Sequence, residues 1–112
     1  FYRDSSMLPA FEILENGTPS IRFKGYRLLD GFPEFHYFID NIEVFELIQS
    51  LEKGMGLIRK FKLNNPGKNI RFSLPVNNNV TNTSDQGTWN KNSLVLTAAE
   101  SRSFSITSIK VN

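Results

Sequence analysis

Between Ile21 and Ile48 the chain reads IRFKGYRLLDGFPEFHYFIDNIEVFELI, and much of it alternates with a period of two. Phe35, Tyr37 and Ile39 fall on one side of a strand, His36 and Phe38 on the other. Asp40-Asn41 supplies a two-residue turn, because Asp and Asn tolerate the left-handed backbone that such turns need. That register pairs Ile39 with Ile42, Tyr37 with Val44 and Phe35 with Glu46. One face of the predicted hairpin is then Phe35, Tyr37, Ile39, Ile42 and Val44. The other carries His36, Phe38, Glu43, Phe45 and Leu47. An apolar majority on both faces predicts a hairpin covered on one side and partly covered on the other. A buried aromatic contributes roughly 1.5–3 kcal/mol, so this hairpin is expected to supply much of the core.

The same reading extends along the chain. Ile21-Arg22-Phe23-Lys24 alternates, then the phase slips at Gly25: by strict alternation Tyr26 and Leu28 fall on the side of Arg22 and Lys24. A glycine at a phase slip predicts a β-bulge or a close backbone approach. Leu29 to Pro33 reads as a turn, with Pro33 tolerated only at a strand start or edge. Leu57 to Leu63 is a strand with Leu57, Arg59, Phe61 and Leu63 on one face, and Ile58, Lys60 and Lys62 on a more basic one. Asn64 to Lys68 is a turn, 69–74 a strand ending at Pro75, and 93–98 and 104–111 further strands. Phe11 to Leu14 offers a short strand, and Glu15 to Pro19 a turn. Gln49 to Gly56 reads as a connection, with two helical turns over Glu46 to Lys53 as an alternative. Asn77 to Asn92 is predicted to be a polar loop around Trp89, its ends meeting if 69–74 and 93–98 pair; Ala99 to Arg102 is a tight connection. Seven or eight short strands with turns between them predict an all-β domain, an antiparallel β-sandwich.

Length and charge narrow the function. A chain of 112 residues makes one domain, and burying about two-thirds of its unfolded surface needs no metal or disulfide staple. There is no cysteine, which excludes disulfides, cysteine zinc sites and covalent haem attachment within these residues. No cofactor is expected. The 13 Lys and Arg are scattered and the net charge is only +2, so nucleic acid is not expected as a partner. No run reaches the length of a membrane helix, so membrane insertion is not expected either. The chain starts at Phe1 rather than Met, as a processed product or a piece of a longer protein would. Asn16, Asn79 and Asn82 begin N-x-Ser/Thr triplets, glycan acceptors in a eukaryotic secreted protein and chance matches in a chain so rich in Asn, Ser and Thr.

Candidate chemistry is thin. His36, the one histidine, offers a general base or metal ligand. In the predicted register it faces Phe45 directly and Glu43 diagonally, and no second histidine or cysteine completes a metal site, which favours a structural role. Asp40, Glu43, Glu46 and Glu52 lie close in sequence, but Asp40 sits at a turn tip, and Glu43 and Glu46 point to opposite faces. A glycosidase-like acid–base pair is therefore not expected. Trp89, flanked by Asn82, Asp85, Gln86, Asn90 and Asn92, is the best ligand-binding candidate: an indole can stack on a sugar ring while amides reach its hydroxyls. The alternative is that Trp89 caps the end of the core. Arg22, Lys24, Arg59, Lys60 and Lys62 form a basic stripe if their strands adjoin, more commonly a solvated face. Gly54-Met55-Gly56 lacks the third glycine of a phosphate loop.

Phe23-x-Gly25-Tyr26-Arg27-Leu28, Gly31-x-Pro33-x-Phe35-x-Tyr37 and Ile39-Asp40-Asn41-x-Glu43-Val44 together resemble a β-rich accessory domain of large exported bacterial proteins that also carry c-type cytochrome and sugar-dehydrogenase-like propeller domains. The resemblance spans about Ile21 to Phe61, and Gly56-Leu57-Ile58-Arg59-Lys60-Phe61 fits loosely. Asn41 departs from the Asp-Gly or Gly-Gly usual at that turn. The resemblance implies a periplasmic or extracellular location and neighbouring domains or subunits as partners, and reaches no catalytic residue. The expectation is a non-catalytic accessory domain that docks through an apolar patch of Phe38, Phe45 and Leu47. The alternative is a carbohydrate-binding module using Trp89.

Overall fold

A computed structural model describes residues 10–13, 20–51, 54–74 and 79–110. The predicted turn at Glu15 to Pro19 and the triplet at Asn16 lie outside them. The chain forms β1 (Ala10–Ile13), β2 (Ile21–Leu29), β3 (Phe32–Ile39), β4 (Ile42–Ser50), β5 (Gly56–Asn64), β6 (Ile70–Ser73), β7 (Val80–Ser84), β8 (Thr88–Asn90), β9 (Ser93–Leu96), α1 (Ala98–Ser101) and β10 (Ser103–Lys110). A six-stranded antiparallel sheet, β2-β3-β4-β5-β10-β7, packs against a four-stranded one, β1-β6-β9-β8. The all-β sandwich expected from the strand pattern is the fold.

The hairpin has the expected register: Ile39 opposite Ile42, Tyr37 opposite Val44, Phe35 opposite Glu46. Asp40 takes the left-handed conformation at φ 52°. Its carboxylate accepts from the Ser20 amide at 2.9 Å and its own amide donates to the Ser20 carbonyl at 2.7 Å, tying the turn to the start of β2. Phe35, Tyr37, Ile39, Ile42 and Val44 are all buried, joined by Phe61, Leu63, Phe104 and Ile106 from the same sheet and by Ile70, Phe72, Leu94 and Leu96 from the other. Phe61 meets Phe72 edge-on across the interface, centroids 5.2 Å apart, and stacks on Phe104 at 4.7 Å. Pro33 lies one residue beyond the last β3–β4 pair, where its missing N–H is not needed.

Three expectations change. The two-turn helix over Glu46 to Lys53 is not formed: β4 runs to Ser50 and pairs with β5 as far as Leu57. The period of two simply continues, with Ile48 inward and Leu47 and Gln49 outward. The loop at 77–92 contains two strands. Val80–Ser84 pairs with β10 and Thr88–Asn90 with β9. Both are sheet edges, where β-branched Thr and backbone pairing suffice without an apolar stripe. The strand count among the described residues is accordingly ten, against the seven or eight expected. The connection before β10 winds into one helical turn, closed by a capping box between Thr97 and Glu100.

The phase slip at Gly25 is a bulge, in which the pairing jumps from Phe23–Tyr37 to Gly25–His36 and leaves Lys24 as the extra residue. It keeps Ile21, Phe23, Tyr26 and Leu28 on one side, toward the sandwich interior, with Phe23 and Tyr26 each about 6 Å from the Phe35 ring. Leu28 is nevertheless 66% exposed and Tyr26 50%.

Among the described residues one carboxylate enters the core. Glu46 lies between Phe35 and Phe61 in the cross-strand row and is 1% exposed. Tyr37 donates its hydroxyl hydrogen to Glu46 Oε1 at 2.8 Å. Burial raises the Glu46 pKa to about 7, against the opposing pull of the Tyr37 hydrogen bond and the Arg59 charge. Burial and the neighbouring carboxylate likewise push the Tyr37 phenol up. Because the folded pKa lies above the unfolded value of 4.5, the folded state holds its proton longer. Stability is full below that value and falls as pH rises toward 7, by about 3 kcal/mol for a shift of this size. Glu46→Gln should remove this decline while keeping an acceptor for Tyr37. Urea denaturation across that pH window tests it, and an unchanged slope in the variant would contradict the assignment.

Candidate functional site on the open face of the six-stranded sheet

Alternation along β2 to β5 sends every second side chain away from the sandwich interior, and register sorts these into rows. One row runs Arg27, Glu34, Leu47, Lys60 and Ser105; the next Gly25, His36, Phe45, Lys62 and Ser103; a third Arg22, Phe38, Glu43 and Asn64. The four-stranded sheet covers the opposite face. Phe38, Phe45 and Leu47 are half-buried by their own neighbours, and no described element packs over them.

The centre of this face is ordered by side-chain contacts. His36 stacks on Phe45 with centroids 4.5 Å apart and planes within 6°. Its Nε2 bonds Glu43 Oε2 at 2.8 Å, and Glu43 Oε1 accepts from Asn64 Nδ2 at 2.7 Å. These two bonds, the Asn64 one first, hold the Glu43 carboxyl below its usual range. The diagonal Glu43 thus reaches His36 as readily as the directly opposed Phe45, a reach expected between diagonal cross-strand neighbours. Arg22 lies over the Phe38 ring at 4.9 Å, and Arg27 pairs with Glu34 at 2.8 Å.

Two shallow depressions meet at Phe45 and Glu34. One, of about 470 Å³, lies over Gly25 between Lys24, Arg27 and His36. The other, of about 280 Å³, lies over Leu47, Lys60, Lys62, Ser103 and Ser105. Among the described residues no cluster of His, Asp and Glu could hold a metal ion, and no hydroxyl is hydrogen-bonded to His36 as a nucleophile would be. Glu43 and Glu46 point to opposite faces, as their register requires. No helix among the described residues is long and apolar enough to cross a membrane. The basic stripe divides: Arg22 and Lys24 on β2 are separated from Lys60 and Lys62 on β5 by two strands. Arg59 leaves it altogether, turning inward with its guanidinium 5.5 Å from the Phe72 centroid.

The residues around Trp89 are dispersed. Trp89 sits opposite buried Leu94, packs against the core, and donates its indole N–H to Ser84 Oγ at 3.1 Å. Asn90 points the other way and is exposed. Asn82 accepts the Ser108 hydroxyl hydrogen, and Asp85 accepts the Ser105 amide at 2.8 Å. Gln86 is exposed in the crossing from β7 to β8, and its carbonyl accepts from Ser84 Oγ. Next to it Gly87 takes φ 88°, and a Cβ there would lie 2.8 Å from Leu94 Cδ1. The indole therefore helps close the sandwich where the chain changes sheets. Of the acceptor triplets, Asn79 lies in an exposed turn, whereas Asn82 is half-buried.

Comparison with family models, with curated proteins and with solved structures yields no match.

Trp89→Ala should lower unfolding stability by roughly 2–3 kcal/mol, at or below the lower end of the ~3–5 kcal/mol for deleting a fully buried Trp, because the indole is only half-buried. Chemical denaturation reads this directly. A loss below about 0.5 kcal/mol, the size of an ordinary surface change, would show that Trp89 is free to serve another role.

Proposed function

We propose that this chain is a non-catalytic β-sandwich accessory domain whose open six-stranded face docks against a neighbouring domain or subunit of an exported assembly. The observation that carries the reading is the contiguous patch of Phe38, Phe45 and Leu47, placed by register on a face that no described element covers. Apolar patches ringed by charge are a mark of protein interaction surfaces. Here the ring is Arg22, Arg27, Lys60 and Lys62, with Glu34 and Glu43 among them. The preorganised Asn64–Glu43–His36–Phe45 chain lowers the ordering cost of contact, since these side chains are already fixed. A second exposed apolar strip, with Ile21 47% and Leu28 66% exposed, lies on the opposite, inner side of β2 and is separate from this patch. The resemblance of Ile21 to Phe61 to accessory domains of exported cytochrome-bearing proteins supports a redox-associated parent and a periplasmic or extracellular setting.

The carbohydrate alternative would need the Trp89 indole presented to solvent beside its amides. Its inward packing and occupied N–H give that reading no support.

The test uses the native polypeptide or assembly as isolated. Leu47→Asp or Phe38→Asp should release the domain from its neighbour, seen as faster limited proteolysis at the domain borders. The same changes in the isolated domain should cost roughly 1–2 kcal/mol, as for half-buried side chains on a sheet face, and leave it folded. Border protection unchanged in both variants would contradict docking through this face.

A further inference from the structure

The depression over Gly25 says what the docked partner presents there. Gly25 stands directly opposite His36 and contributes no side chain, so the floor beside the imidazole is bare. Its φ of 148° suits glycine, and a Cβ built on it meets nothing within 4 Å. His36 is held from the other side by Phe45 and at Nε2 by Glu43. Phe45 stacks on the imidazole from the β4 side and the tilted Phe38 ring lies 5.7 Å away, while on the β2 side, opposite Gly25, the imidazole lines the depression. Two cations line it. Arg27 is engaged by Glu34, whereas Lys24, the extra residue of the bulge, makes no ion pair among the described residues. Bulges characteristically re-aim a side chain in this way.

We propose that the partner is a polypeptide segment that inserts an aromatic side chain into this depression, stacking on His36 to extend the His36–Phe45 pair, with an adjacent carboxylate meeting Lys24. The inference rests on the docking reading above and specifies the partner's chemistry at one end of that face. Size agrees: about 470 Å³ accommodates an indole or phenol ring with room for backbone. Charge discriminates between polymers. Glu34 and Glu43 flank His36, so a nucleic-acid strand would bring its regularly spaced phosphates against two carboxylates. A peptide places a single acid beside Lys24. A buried aromatic anchor within a less critical surround is the common anatomy of such interfaces.

The probe is the capped tetrapeptide Gly-Asp-Trp-Gly, added at millimolar concentration to the 15N-labelled domain. Amide shifts should move at Gly25, His36 and Phe45. Replacing Trp by Ala in the peptide should abolish them. His36→Ala should weaken binding about fivefold, the scale of one aromatic stacking contact, and Lys24→Glu about threefold, as for an exposed charge pair. Lys24 is on the surface, so that variant folds whatever His36→Ala does. Shifts that are absent, that survive loss of the Trp, or that adenosine monophosphate reproduces equally would overturn the proposal. If Leu47→Asp releases the domain from its neighbour while the peptide leaves Gly25 and His36 unmoved, docking stands and the aromatic anchor falls.

Discussion

The register of the β3–β4 hairpin governs this molecule. It is set at Asp40-Asn41, where Asp40 accepts a left-handed backbone and locks onto Ser20. Because side chains alternate with a period of two, a slip of one residue would exchange every inward and outward position. In the observed register Phe35, Tyr37, Ile39, Ile42 and Val44 enter the core, while His36, Phe38, Phe45 and Leu47 form the opposite surface. Core and candidate site are therefore two readings of one alignment. The bulge at Lys24 extends the effect to β2, returning its apolar residues to the inner side and leaving Gly25 as a gap beside His36.

The sandwich is asymmetric, six strands against four. A wider sheet leaves apolar surface that the narrower one does not reach, seen along the inner side of β2. The outer face adds more because β3 and β4 are apolar on both sides. The buried carboxylate among the described residues, Glu46, sits between Phe35 and Phe61 in the cross-strand row. Its hydrogen bond with Tyr37 and the nearby Arg59 charge offset part of the cost of burial. Its presence makes the core respond to pH in the range where carboxylates are ordinarily ionised.

Much of this was legible in the sequence where the local pattern was strong. The hairpin, its turn and the bulge at Gly25 follow from alternation and glycine placement, whereas the pairing of the strands 69–74 and 93–98 was legible only as a condition for the loop between them to close, and is formed. Val80–Ser84 and Thr88–Asn90 were not legible as strands. They are polar and short, and edge pairing rather than an apolar stripe holds them. Glu46 was legible in the register, since Phe35 stands opposite it, yet a carboxylate on an apolar face is easily read as a breaker of the pattern. Trp89 in a polar stretch left two readings, a cap on the end of the core and a binding loop; its packing against the core follows the first, while its partners Leu94 and Ser84 depend on how two sheets meet.

The most direct measurement is hydroxyl-radical footprinting of the native protein as isolated, compared with the separate domain. Docking through the open face requires the side chains of Phe38, Phe45 and Leu47 to be oxidised more slowly in the native protein, with Trp89, on the other sheet, as the internal reference. Equal oxidation of the three residues in both forms would mean that nothing rests on this face, and the account of what the domain does would fail.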